Sequence, residues 1–260
     1  EVGFGGIYDY NNDTYKKLGG VWQSTGTASK NGTDVSIEIW KNGQYAVRGV
    51  NAYDGKQFAE INCEAYGALY QDVLTVPGQK LNWKFSHRGR GGNDTMAMII
   101  MSAEDAANYE NQDSIERLIK LIDRAWWLTE GANGEKKFTV TDNGKEVSGY
   151  ITVKTDKNTS WSGYSSSDSN AYSVPADQYL TRFYFVALNA ADGATQGNFI
   201  DDVAFTTNAI PPNDGEAQIV LTKTVYGLSA DNFVNENGVL KLKNHTNMKF
   251  VIKFDNEEDI

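Results

Sequence analysis

Cysteine is nearly absent. Cys63 stands alone in 260 residues, so no disulfide can form within the chain, and its place in an alternating apolar run points to a buried structural thiol. A chain of this length can bury a core without such staples. No run of about 18 apolar residues occurs, which leaves no candidate for a membrane-spanning helix. The opening Glu1-Val2-Gly3-Phe4 lacks the basic and apolar stretches of a secretory leader, so any leader is expected to have been removed. Basic residues are outnumbered, 24 against 34 acidic, and the formal charge of −10 argues against a phosphate-binding surface and hence against a nucleic-acid partner. Histidine is confined to His87 and His245, in different parts of the chain, which is poor material for a His-rich metal site or a Ser-His-Asp triad. There is no Gly-x-Ser-x-Gly elbow, no His-Glu-x-x-His helix and no phosphate loop.

What is present is the composition of strands and turns: aromatic residues at 12%, many glycines and asparagines, and four prolines. Short alternating runs are separated by turn formers. Val35–Trp40 precedes Asn42-Gly43; Tyr45–Val50 and Gln57–Glu64 flank Asp54-Gly55; Ala68–Val73, Lys80–His87 and Met96–Met101 follow. Phe138–Thr141 and Glu146–Thr155 flank Asp142-Asn143-Gly144, a hairpin signal, because Asn-Gly readily takes the positive φ of a tight turn. Tyr179–Leu188 and Asn198–Phe205 close the series. The fold class this predicts is an all-β antiparallel sandwich of the jelly-roll kind.

One segment has a different period. Ile115, Leu118, Ile119, Ile122 and Trp126 lie near helical spacing, with acids early and Lys120 and Arg124 late, which predicts an inserted amphipathic helix within Ala103–Trp127 covering one end of the sandwich. From Lys157 to Asn170 the chain reads as a polar loop carrying Trp161 and Tyr164. Ile210-Pro211-Pro212-Asn213-Asp214-Gly215 is the natural boundary. Residues 1–210 are therefore expected to form the main domain and 211–260 a small or truncated β unit, with Gln218–Tyr226 and Met248–Phe254 as strands.

Period-2 alternation places Glu60 with Asn62, Arg88 with Arg90, and Arg182 with Tyr184 on common strand faces. If those strands are neighbours, they form a polar face that can hydrogen-bond a ligand's hydroxyls, joined by Glu38 and, where its strand twists or ends, by His87. The alternative is a solvated face of Arg–Glu pairs. Glycines in Ser86-His87-Arg88-Gly89-Arg90-Gly91-Gly92 would let the two arginines converge. Trp161, Tyr164 and Tyr172 are candidates for stacking on sugar rings, or else they fold back into the core. Asp201 shares parity with Val203 and Phe205 and is expected to point inward. A bound calcium ion, backbone N–H groups or an arginine would satisfy it.

Ile37-Glu38-Ile39-Trp40, Phe58-Ala59-Glu60-Ile61-Asn62, Leu69-Tyr70-Gln71-Asp72-Val73 with Pro77-Gly78, His87-Arg88-Gly89-Arg90 and Phe199-Ile200-Asp201-Asp202-Val203 together resemble the galactose-binding-like, carbohydrate-binding-module jelly rolls of Gram-positive bacterial surface proteins, over roughly residues 20–206. The resemblance implies a ligand-binding or adhesion module, with a structural calcium near the terminal strands. The N-terminal Val2-Gly3-Phe4-Gly5-Gly6 departs from the family by lacking an Asn- and Glu-containing start, and the helical insertion is a second departure. Ile219-Val220-Leu221-Thr222-Lys223-Thr224-Val225 resembles the first strand of pilin-type or collagen-adhesin stalk repeats, which implies Lys223 as the lysine of an intramolecular isopeptide bond.

The function expected from these readings is a non-catalytic, cell-surface binding module, monomeric within a longer extracellular protein, that recognises a glycan or host glycoprotein. Two rivals stand beside it: a jelly-roll glycan hydrolase using acids such as Glu38 and Glu60, and a structural stalk segment without a ligand.

Overall fold

The computed structural model describes residues 6–9, 14–17, 22–26, 29–30, 33–34, 37–62, 65–75, 77–122, 133–167, 171–207, 233–236 and 239–242. The chain divides into two compact units, Glu1–Thr224 and Val225–Ile260. In the second, β17 (Phe233–Glu236) and β18 (Val239–Leu242) form an antiparallel hairpin. The strands expected at 218–226 and 248–254, together with Cys63 and Lys223, lie outside the described residues.

The first unit is an antiparallel β-sandwich of jelly-roll class. One sheet contains β3 (Gln23–Ser24), β8 (Ala68–Leu74), β10 (Asp94–Ser102), β11 (Asn133–Asp142), β12 (Lys145–Asp156) and β15 (Leu180–Asn189), in the order β11-β12-β10-β15-β8-β3. The other contains β6 (Glu38–Lys41), β7 (Gln57–Glu60), β9 (Lys80–Arg88), β13 (Ser162–Ser165) and β16 (Phe199–Thr207), in the order β13-β9-β16-β7-β6, with β14 (Tyr172–Ser173) also on β9. Two small hairpins precede them: β1 (Gly6–Asp9) with β2 (Thr14–Lys17), and β4 (Ser29–Lys30) with β5 (Thr33–Asp34).

The central strands of the first sheet are buried on both faces. From β10, Met96, Met98 and Ile100 face the second sheet and meet Trp83, Phe85, Phe183 and Phe185 in the main core, while Ala97, Ile99 and Met101 face the other way. That second face is covered by α1 (Ala103–Ala106) and α2 (Gln112–Leu121), whose Ile115, Leu118, Ile119 and Ile122 pack on Tyr184, Val186 and Ile151. A strand covered on both sides has no use for a polar alternation, which is why Met96–Met101 is a continuous apolar run. The helical stripe therefore covers a sheet face, where the sequence suggested an end of the sandwich.

Within the described residues the expected helix is broken in two. Asn111 caps α2 with a capping box, its side chain accepting from the Ser114 N–H and the Ser114 hydroxyl accepting from the Asn111 N–H. Ahead of it, the fully buried Tyr109 donates to Asp142 at 2.8 Å and anchors the break. Residues 123–132, including Trp126, are outside the described set.

Two further expectations change. Tyr45–Val50 is no strand: Tyr45–Val47 is a 3₁₀ turn followed by Arg48 at φ 61°. The Asn42 side chain bonds Gly55 O and the Ala52 N–H, and the Gly43 N–H bonds Val50 O, closing residues 42–55 into a loop. Val47 and Val50 then pack with Trp40, Phe58 and Phe199 on the outer face of the second sheet. The polar loop read at 157–170 contains an edge strand, β13, with Gly163 opposite Ser86 and Tyr164 opposite Phe85.

Candidate ligand-binding site

The outer face of the second sheet, beneath and beside the 42–55 loop, is where most of the residues singled out in the sequence gather. Register aligns Arg88, Phe199, Glu60 and Glu38 across four strands. They do not form an open polar face. Glu38, Glu60, Asn62 and His87 are all buried, and the described partners are other protein groups. Glu60 accepts from Arg90 Nη1 on both oxygens (2.9 and 2.8 Å), from Trp40 Nε1 at 2.7 Å and from the Gly197 N–H at 2.6 Å. Arg90 also lies 5.4 Å over the Trp40 ring and donates to Ala46 O in the covering loop. Burial, reinforced by the neighbouring Glu38 charge and opposed by Arg90, pushes the Glu60 carboxyl up to about 8. Glu60 thus keeps its proton well above the range of an exposed carboxylate.

His87 faces the interior at the end of β9. Its Nδ1 meets Asp156 at 2.7 Å and its Nε2 meets Asn198 Oδ1 at 3.0 Å. The Asn198 amide donates to Asn62 Oδ1 and Asn189 O, and the Asn62 amide donates to Ala194 O. Burial alone would raise Asp156, but the bonds from His87, Ser162 and Tyr164 outweigh it and hold that carboxyl below its ordinary value. Asn62, His87 and Tyr164 are thus members of one buried network joining the two sheets. Tyr164, expected on a loop, points inward, donates to Asp156 and packs on Phe85 at 5.5 Å. Tyr172 is likewise buried, donating to Gln178.

Arg182 lies elsewhere. On the helix-covered face of the first sheet it forks onto Asp72 (2.6 and 2.7 Å) and reaches Glu110 at 2.8 Å and Ala106 O at 3.2 Å, with Tyr70 and Tyr184 against its guanidinium. Parity with Tyr184 holds as expected, but the face belongs under α1, where Arg182 ties the helical cover to the sheet. Arg88 bonds Asn158 O at the margin of the second sheet.

Asp201 points outward. Between Asp201 and Ala204 the pairing with β9 shifts: Asp201 is opposite Ser86 and Ala204 opposite Lys84, so three steps on β16 match two on β9. This β-bulge, with Asp202 at φ 49°, reverses the parity that sequence alternation assumes. The Asp201 carboxylate accepts the N–H groups of Tyr53 (2.7 Å), Asp54 (3.0 Å) and Asp202 (2.8 Å), pinning the covering loop to the sheet. Burial raises this carboxyl above its ordinary value against those three bonds. Oxygens already facing the positive ends of three N–H dipoles do not fit a calcium site. Among the described residues no three His, Cys, Asp or Glu side chains cluster as metal ligands.

What this face does present to solvent is aromatic. Tyr53 is half exposed and meets the Trp161 ring edge-on at 6.5 Å; Trp161 is held by Nε1 donating to Asn51 O at 2.7 Å and by Phe58 at 5.5 Å. Beside them stand Asp54 and the exposed Lys84–Asp202 pair at 2.6 Å. Of the sequence candidates, Trp161 alone stands in this patch with its ring partly open to solvent. Tyr53, Ser86, Gly163 and Lys84 were missed. The glycine two residues after Trp161, opposite a serine once β13 is known to be a strand, is the signal that could have found them.

No family model and no curated protein matches the chain. Among solved structures it is similar to a xylan-binding domain of CBM 22 (14% identity, 73% of this chain and 88% of that one, TM-score 0.39). It is also similar to TmCBM61 in complex with β-1,4-galactotriose (13%, 72% and 88%, 0.35) and to the CBM22-2 xylan-binding domain from Paenibacillus barcinonensis Xyn10C (13%, 73% and 92%, 0.37). At these scores the likeness decides nothing about function.

Proposed function

We propose that the sandwich is a non-catalytic binding module that takes a carbohydrate on the Tyr53–Trp161 patch of its second sheet. The observation that carries this reading is the pair of adjacent aromatic rings, Tyr53 and Trp161, held in mutual contact at the solvent edge of a sheet face whose own Trp40, Phe58 and Phe199 are buried. A flat apolar ring meets the C–H face of a pyranose, and the adjoining Asp54, Lys84 and Asp202 supply groups for its hydroxyls. Part of a longer surface protein, such a module would serve adhesion to a glycan or glycoprotein.

The hydrolase reading is disfavoured by the two acids it named. Glu38 and Glu60 are register partners on adjacent strands, buried under the covering loop, whereas glycoside hydrolysis needs two carboxyl groups flanking an accessible bond.

A glycan array probed with the whole chain, in calcium and again in chelator, tests the proposal. Binding to a defined set of glycans that Trp161→Ala and Tyr53→Ala both abolish is the expected result. Binding unchanged in both variants would move the site elsewhere, and silence of the whole array would favour a protein ligand or a stalk.

A further inference from the structure

Beneath Tyr53 lies a polar group that the protein itself leaves unused. Ser86, on β9, is 1% exposed, and its Oγ has no hydrogen-bond partner within the protein. In register it stands between Gly163 on β13 and Asp201 on β16. Gly163 is exposed and has no side chain to fill the row; a Cβ built there would lie 3.1 Å from Tyr53 Oη and 3.8 Å from Ser86 Oγ. The phenol end of Tyr53 therefore hangs over the slot that Gly163 leaves open. The backbone of Tyr53 is pinned by Asp201, while its hydroxyl makes no hydrogen bond among the described residues, so the ring can turn without releasing the loop.

A buried hydroxyl without a partner works against folding, and a serine here is readily replaced by alanine in a stable sheet. Asp201 keeps an acceptor position on Oδ1, which takes one N–H while Oδ2 takes two. Ser86 and Asp201 share a row and are not bonded to each other. A single hydroxyl group between them could accept from Ser86 and donate to Asp201.

Resting on the carbohydrate reading above, the geometry points to a hydroxyl-binding subsite formed by Ser86, Gly163 and Asp201, roofed by Tyr53 and opened when that ring turns aside. Trp161 supplies the platform on which a sugar ring stacks; the subsite selects ligands that project a hydroxyl or hydroxymethyl group into the sheet face. It makes Ser86 a specificity-determining residue, and Gly163 the residue that keeps the slot free.

The test is calorimetric titration of the full chain with cellohexaose, xylohexaose and mannohexaose, alongside Ser86→Ala, Gly163→Ala and Trp161→Ala, with melting temperatures for each. Ser86→Ala is expected to weaken the best probe by about three- to tenfold, as loss of one neutral hydrogen bond does, while its melting temperature stays the same or rises. Gly163→Ala fills the slot and is expected to weaken the same probe; Trp161→Ala abolishes binding of all three. Full affinity in Ser86→Ala with loss in Trp161→Ala would overturn the subsite and leave the patch standing. A clear fall in the melting temperature of Ser86→Ala would make the serine structural and overturn it as well. If the unaltered chain binds none of the three probes and no glycan on the array, the carbohydrate reading fails, and the subsite with it.

Discussion

Arg90 covers the buried Glu60 carboxyl on its solvent side, and its removal takes away the cation beside it. With Glu60 holding its proton at neutral pH, Arg90→Ala removes hydrogen bonds from a charged donor and leaves no bare charge behind, so it is expected to destabilise the sandwich by about 1.5–3 kcal/mol in urea unfolding at pH 7, with any loss of binding following from unfolding. The raised Glu60 carboxyl adds a pH dependence with a definite sign. Between the ordinary value of 4.5 and about 8, the native state keeps a proton that the unfolded chain gives up, so stability falls as pH rises through that window and levels off on either side. Glu60→Gln should flatten the profile; an equally steep fall in the variant would assign the dependence to another group. Arg182 gives a parallel case on the other sheet. Arg182→Met should cost about 3 kcal/mol, the low end for a buried pair because Asp72 and Glu110 both reach solvent.

Among the elements, the bulge in β16 has the largest consequence. One extra residue turns Asp201 from the core to the outer face, where it pins the 42–55 loop and so places Tyr53 beside Trp161. Asp202 occupies the left-handed region, which a β-branched side chain resists. Asp202→Val should lower stability by about 1–3 kcal/mol, while Asp202→Gly should be near neutral, the released backbone strain offsetting the lost Lys84 pair; thermal melts of the two variants would show the split. The β11–β12 hairpin shows the contrary case, an element announced by its own residues. Asn143 and Gly144 at φ 51° and 79° form the two-residue turn that Asn-Gly favours, and the flanking runs pair as expected, extended to Asn133–Asp142 and Lys145–Asp156.

At the scale of the molecule, the sandwich is layered: helices, the first sheet, the second sheet, and the 42–55 loop over part of the outer face. The sheets supply the main core between them, so a fragment ending at Thr207 should retain the cooperative transition of the full chain. A melting temperature lower by more than a few degrees would show that residues beyond it contribute to the fold. The all-β class, the inserted helix and most strands were legible in the sequence, because period-2 and period-3.6 patterns and turn chemistry are local properties. The parity of Glu60 with Asn62 and of Arg182 with Tyr184 was legible for the same reason. Which faces are covered was not, since burial depends on segments remote in the chain: α1 and α2 over Arg182, the 42–55 loop over Glu60, β12 against His87. Asp201 defeated even the local pattern, because a bulge is defined by two strands and cannot be read from one. The residues by themselves determined an antiparallel sandwich with polar groups aligned along its strands; tertiary structure alone decided which of those groups are locked in the interior and which rings meet solvent, because exposure is settled only when distant segments pack.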